Sequence, residues 1–223
     1  MWINKQYEVE NALTWLESFV ADNNLSTIIT HDPVRVAHMP VEIVRRESGE
    51  AKLLFHMPTV DPIAKAISES DLLTVVVHGP QQYISPSLYG DAGLPTFNYG
   101  IGEVTDKCRQ LDETELADHL HRLITQREEW FAGQTERTAW VIDPVNQERF
   151  DRLLPMLVGF EVDLENVQLK LKMGQNRTIE DRKQTVEILR TTPGVDWRVT
   201  DIMAALLPQS ATPMQAKPAK RDQ

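Results

Sequence analysis

The sequence predicts an α+β protein that is mainly β, with an antiparallel barrel or sandwich and helices around it. Three observations support this fold class. From Ser26 to about Val104 the chain consists of short β-branched segments, bounded by turn residues such as Asp32-Pro33. Few helical patterns interrupt these segments, which favours strands that follow one another in one sheet. Helical periodicity is concentrated before this region and after it.

Amphipathic patterns and capping signals predict the helices. Residues 8–22 place apolar side chains on one helical face, and a short helix is expected near Asp61 to Ser68. Asp112 followed by Glu115 is typical of a capping box, and it opens a long helix that we expect to reach about Phe131. The remaining predicted helices begin after Asp143 with Pro144 in the first position, run from Thr178 to about Arg190, and run from Asp196 to Leu207.

Two strands are predicted between these late helices, and the second carries a row of cations. Residues 167–173 alternate apolar side chains with Gln168, Lys170 and Lys172. One face of this strand should therefore be buried, while the other presents two lysines. Lysines can protect the edge of a sheet, and they can also bind an anionic ligand, so both interpretations stay open.

Composition excludes several classes of protein. The chain has 223 residues and a net charge of −10, with Cys108 as its single cysteine. No internal disulfide or multi-cysteine zinc site is therefore possible, and direct binding to nucleic acid is disfavoured because that binding depends on Lys and Arg. Neither a membrane span nor a signal peptide is evident, so we expect a cytoplasmic protein. We expect one domain over residues 1–207, with helical additions at about 112–156 and 178–207, and a disordered tail over 208–223.

Familiar catalytic motifs do not occur. The sequence lacks the glycine patterns of nucleotide-binding loops and the G-x-S-x-G of a nucleophile elbow, so we predict no catalytic residues. His119 and His121 are two positions apart on a predicted helix and point in different directions, so we predict no metal site there. Both histidines are expected to be solvated or half-buried.

Four segments in the same order resemble one known family. They are ITHDPVRVAHMP at 29–40, LLFHMPTVDP at 53–62 with VVVHGPQQYISPSLY at 75–89, LPTFNY at 94–99, and VGFEVDLENVQLKLKMGQNRTIEDR at 158–182. The K-x-K-x-x-Q-N-R core of the last segment is the most distinctive. Together the segments cover most of residues 1–190, and the chain resembles the PaiB-type FMN-binding negative transcriptional regulators.

This resemblance implies a fold, a cofactor and a set of candidate residues. The fold would be a split β-barrel of the FMN-binding type with peripheral helices, forming a homodimer with flavin at the interface. FMN requires cations and hydrogen-bond donors for its phosphate and flat apolar surface for its ring. The candidate cofactor-binding residues are His38, His56, Thr59, Lys65, Asn98, Lys170, Lys172, Gln175, Asn176 and Arg177.

The chain departs from the family pattern at several positions, which makes FMN binding a conditional expectation. Thr59 and Asp61 stand where the family commonly has arginine and asparagine, and the loop over 89–94 is shorter. Tryptophans of the family are replaced by Leu88, Phe97 and Leu171. A PaiB-like flavin-binding regulator is the first hypothesis. The alternatives are a flavin-dependent oxidoreductase acting on a small molecule and a barrel that has lost flavin and serves as an interaction protein, since one fold hosts many functions.

Overall fold

A computed structural model describes residues 1–70, 72–90 and 92–208. The described residues form seven strands and six helices. The strands are β1 (Leu25–His31), β2 (Val34–Arg45), β3 (Ala51–Pro58), β4 (Leu72–Ile84), β5 (Thr96–Gln110), β6 (Leu157–Asp163) and β7 (Val167–Lys172). The helices are α1 (Ala12–Asp22), α2 (Pro62–Glu69), α3 (Glu113–Thr135), α4 (Pro144–Leu153), α5 (Ile179–Thr191) and α6 (Trp197–Ala205).

The strands form one sheet in the order β4-β1-β2-β3-β6-β5-β7, and β4 also pairs with β5. This last pairing closes six strands into a ring and leaves β7 beside β5. Where the ring closes, the hydroxyl groups of Thr74 on β4 and Thr105 on β5 share one hydrogen bond of 2.7 Å. The pairs β1–β2, β1–β4, β2–β3, β3–β6 and β5–β6 are antiparallel. Strand β5 has 15 residues and is therefore long enough to pair with three strands, β4, β6 and β7.

The chain divides into two compact units. The barrel unit comprises residues 1–80 and 99–171, and the second unit comprises residues 81–98 together with the described part of the chain from 172 onward. A single domain over 1–207 remains a prediction. The predicted tail over 208–223 lies outside the described residues except for Pro208.

The core of the barrel unit is built from side chains that alternate inward along the strands. Phe55 on β3 faces its register partner Phe160 on β6, with ring centroids 5.4 Å apart. Helix α1 inserts Phe19, which is 1% exposed. Its ring occupies the space beside Gly100, where an added Cβ would lie 2.4 Å from the ring. A glycine on β5 therefore allows the close packing of α1 against the strand.

Helix α3 begins as its sequence predicts. The Asp112 side chain accepts a hydrogen bond from the Glu115 amide at 2.8 Å, and the Glu115 carboxylate accepts one from the Asp112 amide at 3.0 Å. This capping box is confirmed, and the helix ends at Thr135 rather than near Phe131. Its apolar side chains pack against Leu54 of β3 in a buried cluster.

The other predicted helices are also present. Helix α1 begins at Ala12, later than the apolar pattern suggested, because Asn11 adopts a left-handed conformation with φ of 58°. The side chain of Asp61 accepts a hydrogen bond from the Ile63 amide at 2.9 Å and caps α2. In the second unit, Thr178 caps α5 and Asp196 caps α6. Within the parts of the chain described above, no helix combines the length and apolar character of a bilayer span.

Candidate functional site

A cavity of about 300 Å³ in the second unit collects four of the predicted site residues. Asn98 contributes from β5, Lys172 from the end of β7, and Asn176 and Arg177 from the turn before α5. Tyr89 and Pro95 add apolar surface to the walls. The cavity therefore combines cations, amides and flat apolar groups within one compact part of the fold.

Lys172 is positioned by the strand opposite. Its ammonium group donates a hydrogen bond to the Phe97 carbonyl at 2.7 Å and another to the Thr96 hydroxyl. The alternation predicted for β7 is confirmed, because Leu169 and Leu171 are buried while Lys170 and Lys172 are half-buried. These two hydrogen bonds fix the position of the ammonium group, so Lys172 places a positive charge at a defined point on the cavity wall.

The guanidinium group of Arg177 lies over the aromatic ring of Tyr89. The centre of its guanidinium group is 4.1 Å from the ring centroid, and one nitrogen donates to the Ala92 carbonyl at 3.2 Å. Burial raises the pKa of the Tyr89 hydroxyl, and Asp181 adds to this effect while Arg177 opposes it. The phenol therefore stays neutral at physiological pH, and the guanidinium supplies the positive charge at this wall.

Asn98 brings a buried amide to the cavity. The residue is 1% exposed, and its Nδ2 donates to the Met203 sulfur at 3.3 Å. A thioether sulfur only accepts hydrogen bonds, so this contact orients the amide with nitrogen toward Met203. Oδ1 is buried and has no hydrogen-bond partner among the described residues. A buried acceptor without a donor is costly, and such groups are frequent at binding sites.

The turn after β7 separates the roles of Gln175 and Asn176. Gly174 adopts a φ of +79°, and the Arg177 amide donates back to its carbonyl at 3.0 Å. The side chain of Gln175 accepts a hydrogen bond from the Met173 amide at 2.7 Å and thereby braces the turn. Asn176 is exposed and lines the cavity.

Five other predicted site residues lie in the barrel unit. Lys170 contacts the rings of Trp2 and Tyr99, with its Nζ 5.5 Å and 5.6 Å from the two centroids. Thr59 donates its hydroxyl hydrogen bond to the Met156 carbonyl at 3.2 Å. Lys65 is exposed on α2 and forms an ion pair with Glu69 at 3.6 Å. Thr59 and Lys65 therefore each have a partner within the barrel unit, and neither lines the cavity described above.

The remaining two of these five residues, His38 and His56, belong to two separate histidine clusters, and the first cluster is on the outer surface of the sheet. Exposed His38 on β2 and exposed His78 on β4 each share a hydrogen bond with the Thr27 hydroxyl, at 3.2 Å and 3.0 Å. Thr27 lies on β1, the strand between them. The three side chains form a polar row across three adjacent strands.

The second cluster is a buried chain of hydrogen bonds beneath α3. Glu42 Oε2 is 2.7 Å from His119 Nδ1, and His119 Nε2 is 3.2 Å from Nδ1 of His56. Arg122 donates to the other carboxylate oxygen of Glu42 at 2.8 Å. An ionised Glu42 accepts from His119 Nδ1, and His119 Nε2 shares a second hydrogen bond with His56 Nδ1, whose donor depends on the tautomers of the two rings.

The electrostatics of this cluster have identifiable causes. Burial, and to a smaller extent the neighbouring His119, together lower the pKa of His56 to about 4. Burial would raise the pKa of Glu42, but hydrogen bonds from His119 and Arg122 outweigh that effect and keep it below its usual value. His56 is therefore neutral and Glu42 ionised at physiological pH.

The expectation that His119 is solvated or half-buried was wrong, because this side chain is 0% exposed. Sequence reasoning also missed Glu42, which lies 77 positions away from its histidine partner. One signal was available: His119 and Arg122 are three positions apart on a helix, so they share a face. Among the residues that the structure describes, no group of three or more His, Cys, Asp or Glu side chains is arranged to hold a metal ion.

Comparisons with known proteins agree with this architecture. Residues 1–166 match the model of a family described as "Putative FMN-binding domain". A curated relative, "Protease synthase and sporulation protein PAI 2" from Bacillus subtilis, is 26% identical over 192 residues, covering 85% of this chain and 89% of the relative.

Two solved structures share the fold. The FAD and heme binding protein of Mycobacterium smegmatis aligns with a TM-score of 0.52 and 16% identity, covering 79% of this chain and 78% of that one. A conserved hypothetical protein of Mycobacterium tuberculosis aligns with a TM-score of 0.51 and 10% identity, covering 80% of this chain and 94% of that one. The predicted fold class, an α+β split barrel with peripheral helices, is confirmed.

Proposed function

This chain belongs to the FMN-binding domain family whose model spans residues 1–166, and we propose that it holds FMN with the cavity of its second unit as one point of contact. The observation that carries the proposal is the convergence of Lys172, Arg177 and the buried amide of Asn98 on this cavity. Placing two positive charges side by side and burying an unpaired amide oxygen both cost free energy, and a bound anionic or polar ligand would offset that cost.

The residues present fit the chemistry of this cofactor. FMN offers an anionic phosphate, ring carbonyl groups that accept hydrogen bonds, and a flat ring that packs on apolar surface. Arg177 and Lys172 can donate to anionic or carbonyl oxygens, and Tyr89 and Pro95 supply flat contact area. When bound, FMN supplies two-electron redox chemistry, and the protein supplies binding and orientation.

Titration of the purified protein with FMN tests the proposal. Flavin fluorescence quenching and a rise in melting temperature should both report binding. Arg177→Gln should weaken FMN binding about 10-fold or more, because a charge-assisted hydrogen bond contributes about 1.5–3 kcal/mol. Lys172→Met should weaken it as well.

Lys183→Met is the matched control, because Lys183 is an exposed lysine of the same unit outside the cavity. Its affinity for FMN should equal that of the wild type. A wild-type protein that FMN neither binds nor stabilises would contradict the proposal and favour a cofactor-free interaction protein.

We also propose that the protein is a homodimer with flavin at the subunit interface. Large apolar side chains are exposed beside the cavity, with Phe97 at 52% and Leu94 at 81%. In the barrel unit, Val34 and Val36 of β2 are 73% and 57% exposed. Exposed apolar surface of this kind is typical of an interaction site, and a second copy of the chain would cover it.

Light scattering after gel filtration tests the dimer. The wild type should have twice the monomer mass, and Phe97→Asp should shift it toward the monomer and weaken FMN retention. Val145→Asp on α4 is the control, because Val145 is 77% exposed and distant in the chain from these residues. A monomeric wild type at micromolar concentration would refute the interface.

The biological role that we propose is negative regulation of transcription in the cytoplasm, supported by the resemblance to PaiB-type regulators. The net charge of −10 argues against direct contact with DNA, since phosphate binding depends on Lys and Arg. We therefore expect regulation through a protein partner or the bound ligand. Transcript profiling of a deletion strain should show derepressed genes, while gel shifts with their promoters should show no binding at moderate salt.

A flavin-dependent oxidoreductase is a second candidate, favoured by the chain Glu42–His119–His56. A carboxylate that orients an imidazole, which in turn shares a hydrogen bond with a second imidazole, is an arrangement suited to proton transfer. Bleaching of bound flavin by NAD(P)H, followed by reoxidation with a small acceptor, would support this function. Flavin that stays oxidised in excess NAD(P)H would count against it.

A further inference from the structure

We propose that the cavity of the second unit receives the imide edge of the flavin ring, and that Oδ1 of Asn98 accepts the hydrogen bond of the ring N3–H. The imide edge is the N–H group flanked by two ring carbonyls. This inference rests on the proposed binding of FMN and adds which part of the cofactor this cavity recognises.

The unpaired oxygen of Asn98 decides which chemical group fits. Its Nδ2 is engaged by Met203 and its Oδ1 is buried without a donor, so the cavity wall has to open slightly at Asn98 for Oδ1 to accept a hydrogen bond from a ligand. A phosphate at neutral pH offers mainly acceptor oxygens, and two acceptors facing each other in a buried site repel. The oxidised flavin ring carries one N–H group, and an N–H donor satisfies Oδ1.

The neighbouring cations fit the carbonyl groups on either side of such an N–H. Lys172 and Arg177 line the same cavity as Asn98 and carry only hydrogen-bond donors. The imide edge has an N–H donor between two carbonyl acceptors. Oδ1 of Asn98 can accept from the N–H, while Lys172 and Arg177 can donate to the two carbonyls. Tyr89, with the guanidinium of Arg177 stacked on it, and Pro95 provide flat surfaces that suit a planar ring better than a tetrahedral phosphate.

A chemical double-mutant cycle tests the inference. FMN and 3-methyl-FMN, which lacks the N3–H, are titrated into the wild type and into Asn98→Leu, with flavin fluorescence as the readout. The wild type should bind FMN at least 10-fold more tightly than 3-methyl-FMN, and the ratio should fall to about 1 in Asn98→Leu. Equal affinities in the wild type, or the same ratio in both proteins, would overturn the inference.

Thr185→Val is the matched control. Thr185 is a second buried residue of this unit whose polar atom has no hydrogen-bond partner among the described residues, and it does not line the cavity. Both variants remove an unpaired buried polar atom, Asn98→Leu also removes the hydrogen bond to Met203, and both ligand-free proteins should stay folded. Only Asn98→Leu should change the ratio of FMN to 3-methyl-FMN affinity. Asn98→Ala repeats the test with a smaller side chain if the leucine prevents folding.

Riboflavin, which lacks the phosphate, separates the two ends of the cofactor. If the imide edge occupies the cavity, Arg177→Gln should weaken FMN and riboflavin by the same factor. A variant that loses affinity for FMN alone would place the phosphate there and overturn the inference, while the proposed binding of FMN would stand. A wild type that binds neither flavin would refute the proposed function itself.

Discussion

His56→Gln should flatten the pH dependence of stability between about pH 6.5 and pH 4. The pKa of His56 is lowered from 6.5 to about 4 in the folded protein. As pH falls through this window, the unfolded chain binds a proton at this histidine while the folded protein resists it. Stability is therefore present above the unfolded pKa and is lost as pH falls toward the folded pKa.

The gap between the two pKa values sets the size of the effect. One pKa unit corresponds to about 1.4 kcal/mol, so the wild type should lose up to about 3 kcal/mol at this residue by pH 4. The glutamine amide cannot titrate, but it can still hydrogen-bond to His119 Nε2, because an amide offers both a donor and an acceptor. Glu42 also makes the protein less stable as pH falls, because its pKa is lowered in the folded state. This contribution is present in both the wild type and His56→Gln, so it cancels in the comparison.

Urea unfolding at pH 7.5 and at pH 4.5 measures this difference. The free energy of unfolding should fall more in the wild type than in His56→Gln, and the excess is the contribution of His56. His78→Gln is the control, since His78 is exposed on β4, and it should lose as much stability as the wild type. If His56→Gln loses as much stability as the wild type, the buried histidine chain has been misinterpreted.

Three further substitutions test the packing and the helix start. Gly100→Ala should destabilise the protein by about 1–3 kcal/mol, because its Cβ would lie 2.4 Å from the buried Phe19 ring. Gly133→Ala in exposed α3 meets nothing within 4 Å and should stabilise by about 0.5–1 kcal/mol, so equal effects at the two glycines would contradict the packing argument. Asp112→Ala should cost about 1 kcal/mol in thermal or urea unfolding by removing its bond to the Glu115 amide, and unchanged stability would show that the capping box contributes little.

Local patterns in the sequence were sufficient for most of the secondary structure. The capping pair Asp112 and Glu115, Pro144 after Asp143, and the alternation along β7 each depend on neighbours within a few positions, so their signal is complete in the sequence. The start of α1 was less accurate. Periodicity cannot reveal that Asn11 adopts a left-handed conformation.

The candidate site was only partly predictable. The Gln-Asn-Arg run after β7 led to Arg177 and Asn176, and both line the cavity. The sequence could not show that Gln175 braces the turn instead, because a side-chain bond to a backbone amide depends on the turn geometry. Tyr89, which carries the guanidinium of Arg177, was missed because the two residues are far apart in the chain.

The sequence by itself determined the class of fold, the order of its elements and the family, since each of these follows from local periodicity or from motifs in register. The tertiary structure decided which polar groups are buried and with what partner. Glu42 and His119 meet across 77 positions, and Asn98 meets Met203 across 105. Burial and long-range pairing set the cost of each polar group, and only the folded chain brings these residues together.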